Sequence, residues 1–144
     1  MDLDLVLAPV DCSDGAERAV DCALAVARRY DAALHLLHVV DERILAEVTG
    51  GEMDAAAVAE DHRLFADDID DRTPELDVRR STVAGFSVRQ LSRTPGSVVL
   101  DAAEEVGADF LVVPREAPSG EPEETLGKAA LYVLQYASQP VLSV

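Results

Sequence analysis

Thr94–Val113, TPGSVVLDAAEEVGADFLVV, decides how the rest of the chain folds. Thr94 and Pro95 form a good N-cap and first-turn pair, since a threonine side chain accepts from an early helical N–H and proline needs no donor there. Val98, Val99, Ala102, Ala103 and Val106 then recur at helical spacing. Gly107 suits the left-handed position that ends a helix. Asp109–Val113 follows at once as a short apolar strand. A helix feeding directly into a buried strand is half of a crossover unit, and crossovers imply parallel strands.

Outward from this unit the same alternation repeats. Leu3–Pro9 is expected as a strand stopped by proline, and Asp11–Gly15 as a turn. Asp14 with Glu17 makes a capping-box-like start to a helix that carries Ala16, Ala19, Val20, Ala23, Leu24 and Ala27 and ends near Arg28-Arg29. Ala33–Val40, ALHLLHVV, is almost continuously apolar, as a strand covered on both faces must be. Ile44–Gly51 is a connection. Val58, His62, Phe65, Ala66 and Ile69 mark one face of a second helix, which Pro74 closes. Leu76–Ala84 alternates imperfectly as a third strand, and Gly85–Arg93 either extends it or folds back as a hairpin. On the far side, Leu126, Ala129, Ala130, Val133, Leu134 and Ala137 form an amphipathic helix, and Pro140–Val144 a final strand. The order βαβαβαβαβ predicts an α/β fold: a five-stranded parallel sheet, doubly wound and Rossmann-like, with helices on both faces. The 144 residues form one domain, spanning 1–144.

Composition narrows the partners. Aromatic residues make up only 4% of the chain, so the core is built from Ala, Val and Leu. Acidic residues outnumber basic ones 28 to 12, for a net charge of −16, and Lys128 is the only lysine. No basic stripe is present to neutralise phosphates, which argues against nucleic acid and against an anionic membrane surface. Such acidity fits a salt-adapted cytoplasmic protein, because at ~1 M ionic strength the Debye length is about 3 Å and carboxylates barely repel one another. No apolar run approaches the ~18 residues of a membrane span. Cys12 and Cys22 lack metal-site spacing and flank the first helical turns, so neither a metal nor a disulfide is expected. Cys12 has no base in sight, and is expected as a small loop residue rather than a nucleophile. His35 and His38 are expected as satisfied core histidines, and His62 along the face of the second helix.

Four blocks in order, VLAPVDCSDGAERAVDCALAVA, LHLLHVVD, TPGSVVLDAAEEVGADFLVV and SQPVLSV, resemble the universal stress protein family. The likeness covers most of the chain, with 42–75, 84–93 and the loop before the last helix matching poorly. It implies a five-stranded parallel sheet with helices on both faces, usually in a homodimer that commonly pairs through the last strand. One branch of the family binds ATP, on a glycine directly after the fourth strand, a second three residues on, and, after nine intervening residues, a third followed by a serine or threonine. By position these fall on Pro114, Ala117, Gly127 and Lys128. Only Gly127 matches. The adenine and ribose positions, Pro9, Asp11, Val39 and Val113, are all of suitable type.

The departures have physical consequences. A phosphate loop needs inward N–H groups and room for close backbone approach. Pro114 has no N–H, Ala117 carries a Cβ, and Glu116, Glu121, Glu123 and Glu124 add negative charge. In favour of an anion, Gly127 opens a helix and Lys128 offers a point charge. The resulting expectation is a non-catalytic stress-response regulator with a degenerate nucleotide site and no cofactor, dimeric, acting through protein contacts or a ligand other than ATP. Its alternative is a genuine ATP-binding regulator with a rearranged loop. A nucleotide hydrolase or Cys12 thiol enzyme is a third reading, for which the sequence offers neither base nor metal cluster.

Overall fold

The computed structural model describes residues 2–10, 14–40, 49–51, 54–84, 95–115 and 125–144. Among these residues five strands and four helices alternate: β1 (Leu5–Val10), α1 (Asp14–Tyr30), β2 (Ala33–Val40), α2 (Ala55–Arg72), β3 (Val78–Ala84), α3 (Pro95–Val106), β4 (Phe110–Val113), α4 (Thr125–Tyr136) and β5 (Val141–Ser143). All strands are parallel, in the order β3-β2-β1-β4-β5. The expected fold class is therefore the observed one. The predicted Thr94 cap and the Gly85–Arg93 stretch lie outside the described residues.

Alternation along the strands sorts the core into two layers. Val6, Ala8 and Val10 of β1, Leu34 and Leu36 of β2, and Val112 of β4 meet Ala19, Val20, Ala23, Leu24 and Ala27 of α1 and Ala66 and Ile69 of α2. Leu5, Leu7, Leu37, Val39, Leu111 and Val113 meet Val99, Ala102 and Ala103 of α3 and Ala130 and Val133 of α4. β1 is buried along its whole length, which is why its sequence lacks a polar alternate. Alanine at the helix contacts lets the helices sit close to the sheet in a chain with few aromatic side chains.

Helix ends follow local chemistry. Asp54 caps α2 by accepting from the Ala56 N–H at 2.9 Å. Gly107 ends α3 with φ +73°, as its sequence position predicts, while the Ala108 N–H reaches back to the Ala103 carbonyl at 2.9 Å. At the end of α1 the left-handed residue is Asp31, φ 53°, and the Ala32 N–H bonds Ala27 in the same way. Aspartate tolerates this region better than most side chains.

Several expected boundaries shift. Leu76, Asp109, Pro140 and Val144 fall just outside their strands. Pro9 does not stop β1. It lies inside the strand, paired with Leu37. The pairing of β1 with β4 is recorded only for Val6 and Leu7, whereas that with β2 runs to Val10. A residue without an N–H is tolerated here because one of the two ladders has already ended.

Candidate functional site

That early end of the β1–β4 ladder marks the crevice of a doubly wound sheet, where strand order reverses and ligands bind beyond the carboxyl ends. Pro9, Val39 and Val113 sit around it. By strand alternation all three face the α3/α4 layer. Pro9 lies opposite Leu37, and Val39 is two residues further along the same strand. Val39 and Val113 are buried, at 3% and 1% exposure, so they form the rigid end of the cleft rather than its mouth.

α4 starts at Thr125, so Gly127 and Lys128 belong to its first turn. The first four N–H groups of a helix have no partner within it, and this turn therefore offers donors with the positive end of the helix dipole behind them. Because α4 packs through Ala130 and Val133 on the same layer as Val39 and Val113, the structure brings five of the six predicted positions to one end of one layer. Asp11 and the loop 116–124, with Ala117, lie outside the described residues.

The backbone just after β4 is committed elsewhere. Pro114 is buried and carries no N–H. The next donor, the Arg115 N–H, bonds the Val144 carbonyl at 2.6 Å, and the Val144 N–H bonds the Val113 carbonyl at 2.9 Å. The β4–β5 ladder thus continues past Val113 and draws the first available donor of the loop toward β5.

A second cluster was not anticipated from the sequence. His35 is a satisfied histidine, sharing a 2.7 Å hydrogen bond with the Ser81 hydroxyl. His38 is not. It is 3% exposed, and neither ring nitrogen has a partner among the described residues. Instead the His38 ring stacks on His62 of α2, with centroids 4.5 Å apart, and meets the edge of Phe65 at 6.2 Å. Burial, then the neighbouring His62, then Arg80, push the His38 pKa down to about 4. His62 is also lowered, by burial, against the raising influence of Asp61. Beside the pair a pocket of about 240 Å³ opens between α2 and β3, lined in part by His62, Arg63, Arg80 and Thr82. The signal for it was present: His38 shares strand parity with Leu36, the face that meets α2, and His62 lies in the α2 stripe with Phe65, Ala66 and Ile69.

Among the described residues no three His, Cys, Asp or Glu side chains converge as a metal site. No helix among them is long and apolar enough to cross a membrane.

The strand order, with its reversal between β1 and β4, and the helices on both faces define a doubly wound, Rossmann-like α/β protein. The universal stress protein family model matches residues 3–144, and the chain belongs to that family. It is 26% identical to the universal stress protein YxiE of Bacillus subtilis, over 96% of this chain and 97% of that one. Among solved structures it resembles universal stress protein UspA from Lactobacillus plantarum, with a TM-score of 0.74 at 23% identity, covering 100% of this chain and 99% of that one. It also resembles the universal stress protein from Archaeoglobus fulgidus in complex with dAMP, with a TM-score of 0.62 at 20% identity, covering 98% and 96% of the two chains.

Proposed function

We propose that this chain is a non-catalytic, cytoplasmic stress-response regulator whose nucleotide site is degenerate at its phosphate end. It acts as a homodimer, through protein contacts or a ligand other than ATP. The observation that carries this reading is the pair Pro114 and Arg115: the first residue after β4 has no N–H, and the N–H of the second is bonded to Val144. A triphosphate placed over this turn meets no free donor from either residue, and the next free donors among the described residues are those of the α4 start. Dimerisation through β5 is supported by its position at the sheet edge and by the exposed Leu131 and Leu134 of α4 and Leu142 of β5.

Thermal melts with and without Mg-ATP test the degenerate site. A ligand at ~100 times its dissociation constant adds about 2.7 kcal/mol, a shift of several degrees. The expected result is no shift at millimolar Mg-ATP. A rise of several degrees overturns the reading.

The alternative, a genuine ATP-binding regulator with a rearranged loop, draws on the dAMP complex of the Archaeoglobus fulgidus relative and on Pro9, Val39, Val113 and the α4 start sharing one end of the sheet. In that reading Gly127 and Lys128 supply the donors. Gly127→Asp then abolishes ATP binding and Asp11→Ala weakens it.

A further inference from the structure

The pocket between α2 and β3 lies on the opposite face of the sheet from the nucleotide crevice. His38, Thr82 and Arg80 project toward it from β2 and β3, and Ala59, His62 and Arg63 from α2. His38 and Thr82 are register partners, and Arg80 pairs with Leu36, so the three occupy neighbouring sites on one face. The charged side chains that line it are both arginines. The carboxylates that pair with them stand outside it. Glu60 takes a two-pronged bond from Arg63, and Asp67 accepts from the other end of the same guanidinium at 3.1 Å. Asp67 also approaches Arg80, but at 3.7 Å, beyond hydrogen-bond reach. Arg63 is thereby held in place with N–H groups to spare, and Arg80 has its fork almost uncommitted among the described residues.

We propose that this pocket binds a small oxyanion, a carboxylate or a phosphomonoester, between the guanidinium groups of Arg63 and Arg80. Two forks converging on one space suit planar or tetrahedral oxyanions, which accept several N–H bonds at once. A cation has no carboxylate to meet in the lining. The volume, about 240 Å³, suits a small metabolite and falls below the usual range for larger ligands. Thr82 supplies a hydroxyl at the rim. His38 supplies a reason for the site to respond to occupancy: its ring nitrogens, unpartnered among the described residues, are costly to leave unsatisfied in a buried place, and a ligand oxygen relieves that by accepting from the ring N–H. Because the His62 ring covers His38, that contact requires the stack to open. Elsewhere a net charge of −16 repels anions, so an anion that binds saturably does so against the field of the whole surface.

The test is an NMR titration of ¹⁵N-histidine-labelled protein with inorganic phosphate and, in a second arm, malonate, at constant KCl. The expected result is a saturable shift of the His38 and His62 ring resonances in at least one arm. Phosphate alone identifies a phosphoryl ligand, malonate alone a carboxylate, and both a general oxyanion site. Arg80→Gln, at an exposed position, weakens the binding about tenfold, while Arg79→Gln removes the same charge from the opposite face and leaves it unchanged. No saturable shift in either arm, or equal weakening by the two substitutions, overturns the proposal. Neither outcome depends on ATP, so the nucleotide reading stands or falls separately.

Discussion

The imidazole of His62 covers that of His38, ring centroids 4.5 Å apart and planes within 24° of parallel. This contact joins α2 to β2 where the strand approaches its carboxyl end, and it is stable only while His38 is neutral. A protonated ring there is buried with no partner among the described residues, beside Arg80 and a second histidine. The sign follows directly. The folded-state pKa is lowered from 6.5 to about 4, so the unfolded chain binds the proton first as pH falls. The stabilising contribution is complete above pH ~6.5 and is lost progressively between there and about 4. A displacement of that size corresponds to at most about 3 kcal/mol. His38→Phe removes it: in urea unfolding from pH 7.5 to 4.5, wild type loses more stability than the variant, by about 2 kcal/mol. Parallel pH profiles for the two proteins place the acid sensitivity in other groups.

Gly96 sits in the first turn of α3 where Tyr132 of α4 crosses it. A Cβ added at Gly96 lies 2.6 Å from the Tyr132 Cβ and Cδ1. The Cβ belongs to the backbone-anchored part of the side chain, so a rotamer change cannot clear it. Gly96→Ala therefore forces the two helices apart and costs about 1–3 kcal/mol, typical of overpacking. The urea midpoint falls with the slope unchanged. An alanine variant as stable as wild type means that α3 and α4 shift freely against each other.

The sheet was legible because burial on both faces writes apolar runs such as ALHLLHVV, and because each helix carries a stripe and an end signal. Gly107 is the clearest case, its left-handed φ following from its place after Val106. Strand ends were less legible. Pro9 reads as a stop, yet whether a missing N–H matters depends on where the neighbouring ladder ends, which is a property of the sheet and not of the strand. That Pro9, Val39, Val113 and the start of α4 share one end of the sheet was legible by position, since strand ends and helix starts fall at fixed points on a doubly wound fold. For the His38–His62 pair, strand parity and the α2 stripe place each residue on the facing surface, but no local pattern says that one ring stacks on the other. The bond from Arg115 to Val144 joins the loop to the chain end, and no local pattern announces it.

Asp109 lies between α3 and β4 and was expected as a strand residue. Its carboxylate instead accepts from the backbone N–H groups of Asp4 at 2.9 Å and Leu5 at 3.0 Å, while its own N–H donates to the Leu5 carbonyl at 2.8 Å. The side chain thus pins the entry of the central strand to its neighbour. Asp109→Ala leaves two N–H groups unpaired, one of them part-buried, and costs about 1–2 kcal/mol. Asp109→Asn keeps an acceptor oxygen and costs less. Amide exchange at Asp4 and Leu5 quickens in the alanine variant before the rest of β1 does. Equal stability of wild type and both variants shows the bonds to be replaceable by water.

β5 pairs with β4 on one side and, among the described residues, has no strand on the other. A bare edge is an invitation to pair, and at three residues β5 is short enough to stay soluble yet long enough to start a ladder with a second copy. Leu142 is 38% exposed, and its pairing with Val112 places it on the face that meets α1 and α2. In a two-fold dimer each substitution appears on both sides of the contact. Leu142→Arg therefore sets two guanidinium groups against one another in an apolar setting and yields a monomer by sedimentation velocity, with the far-ultraviolet circular dichroism of wild type. A Leu142→Arg protein that sediments as a dimer moves the contact away from β5, and a wild-type monomer at hundreds of micromolar removes the dimer from the reading altogether.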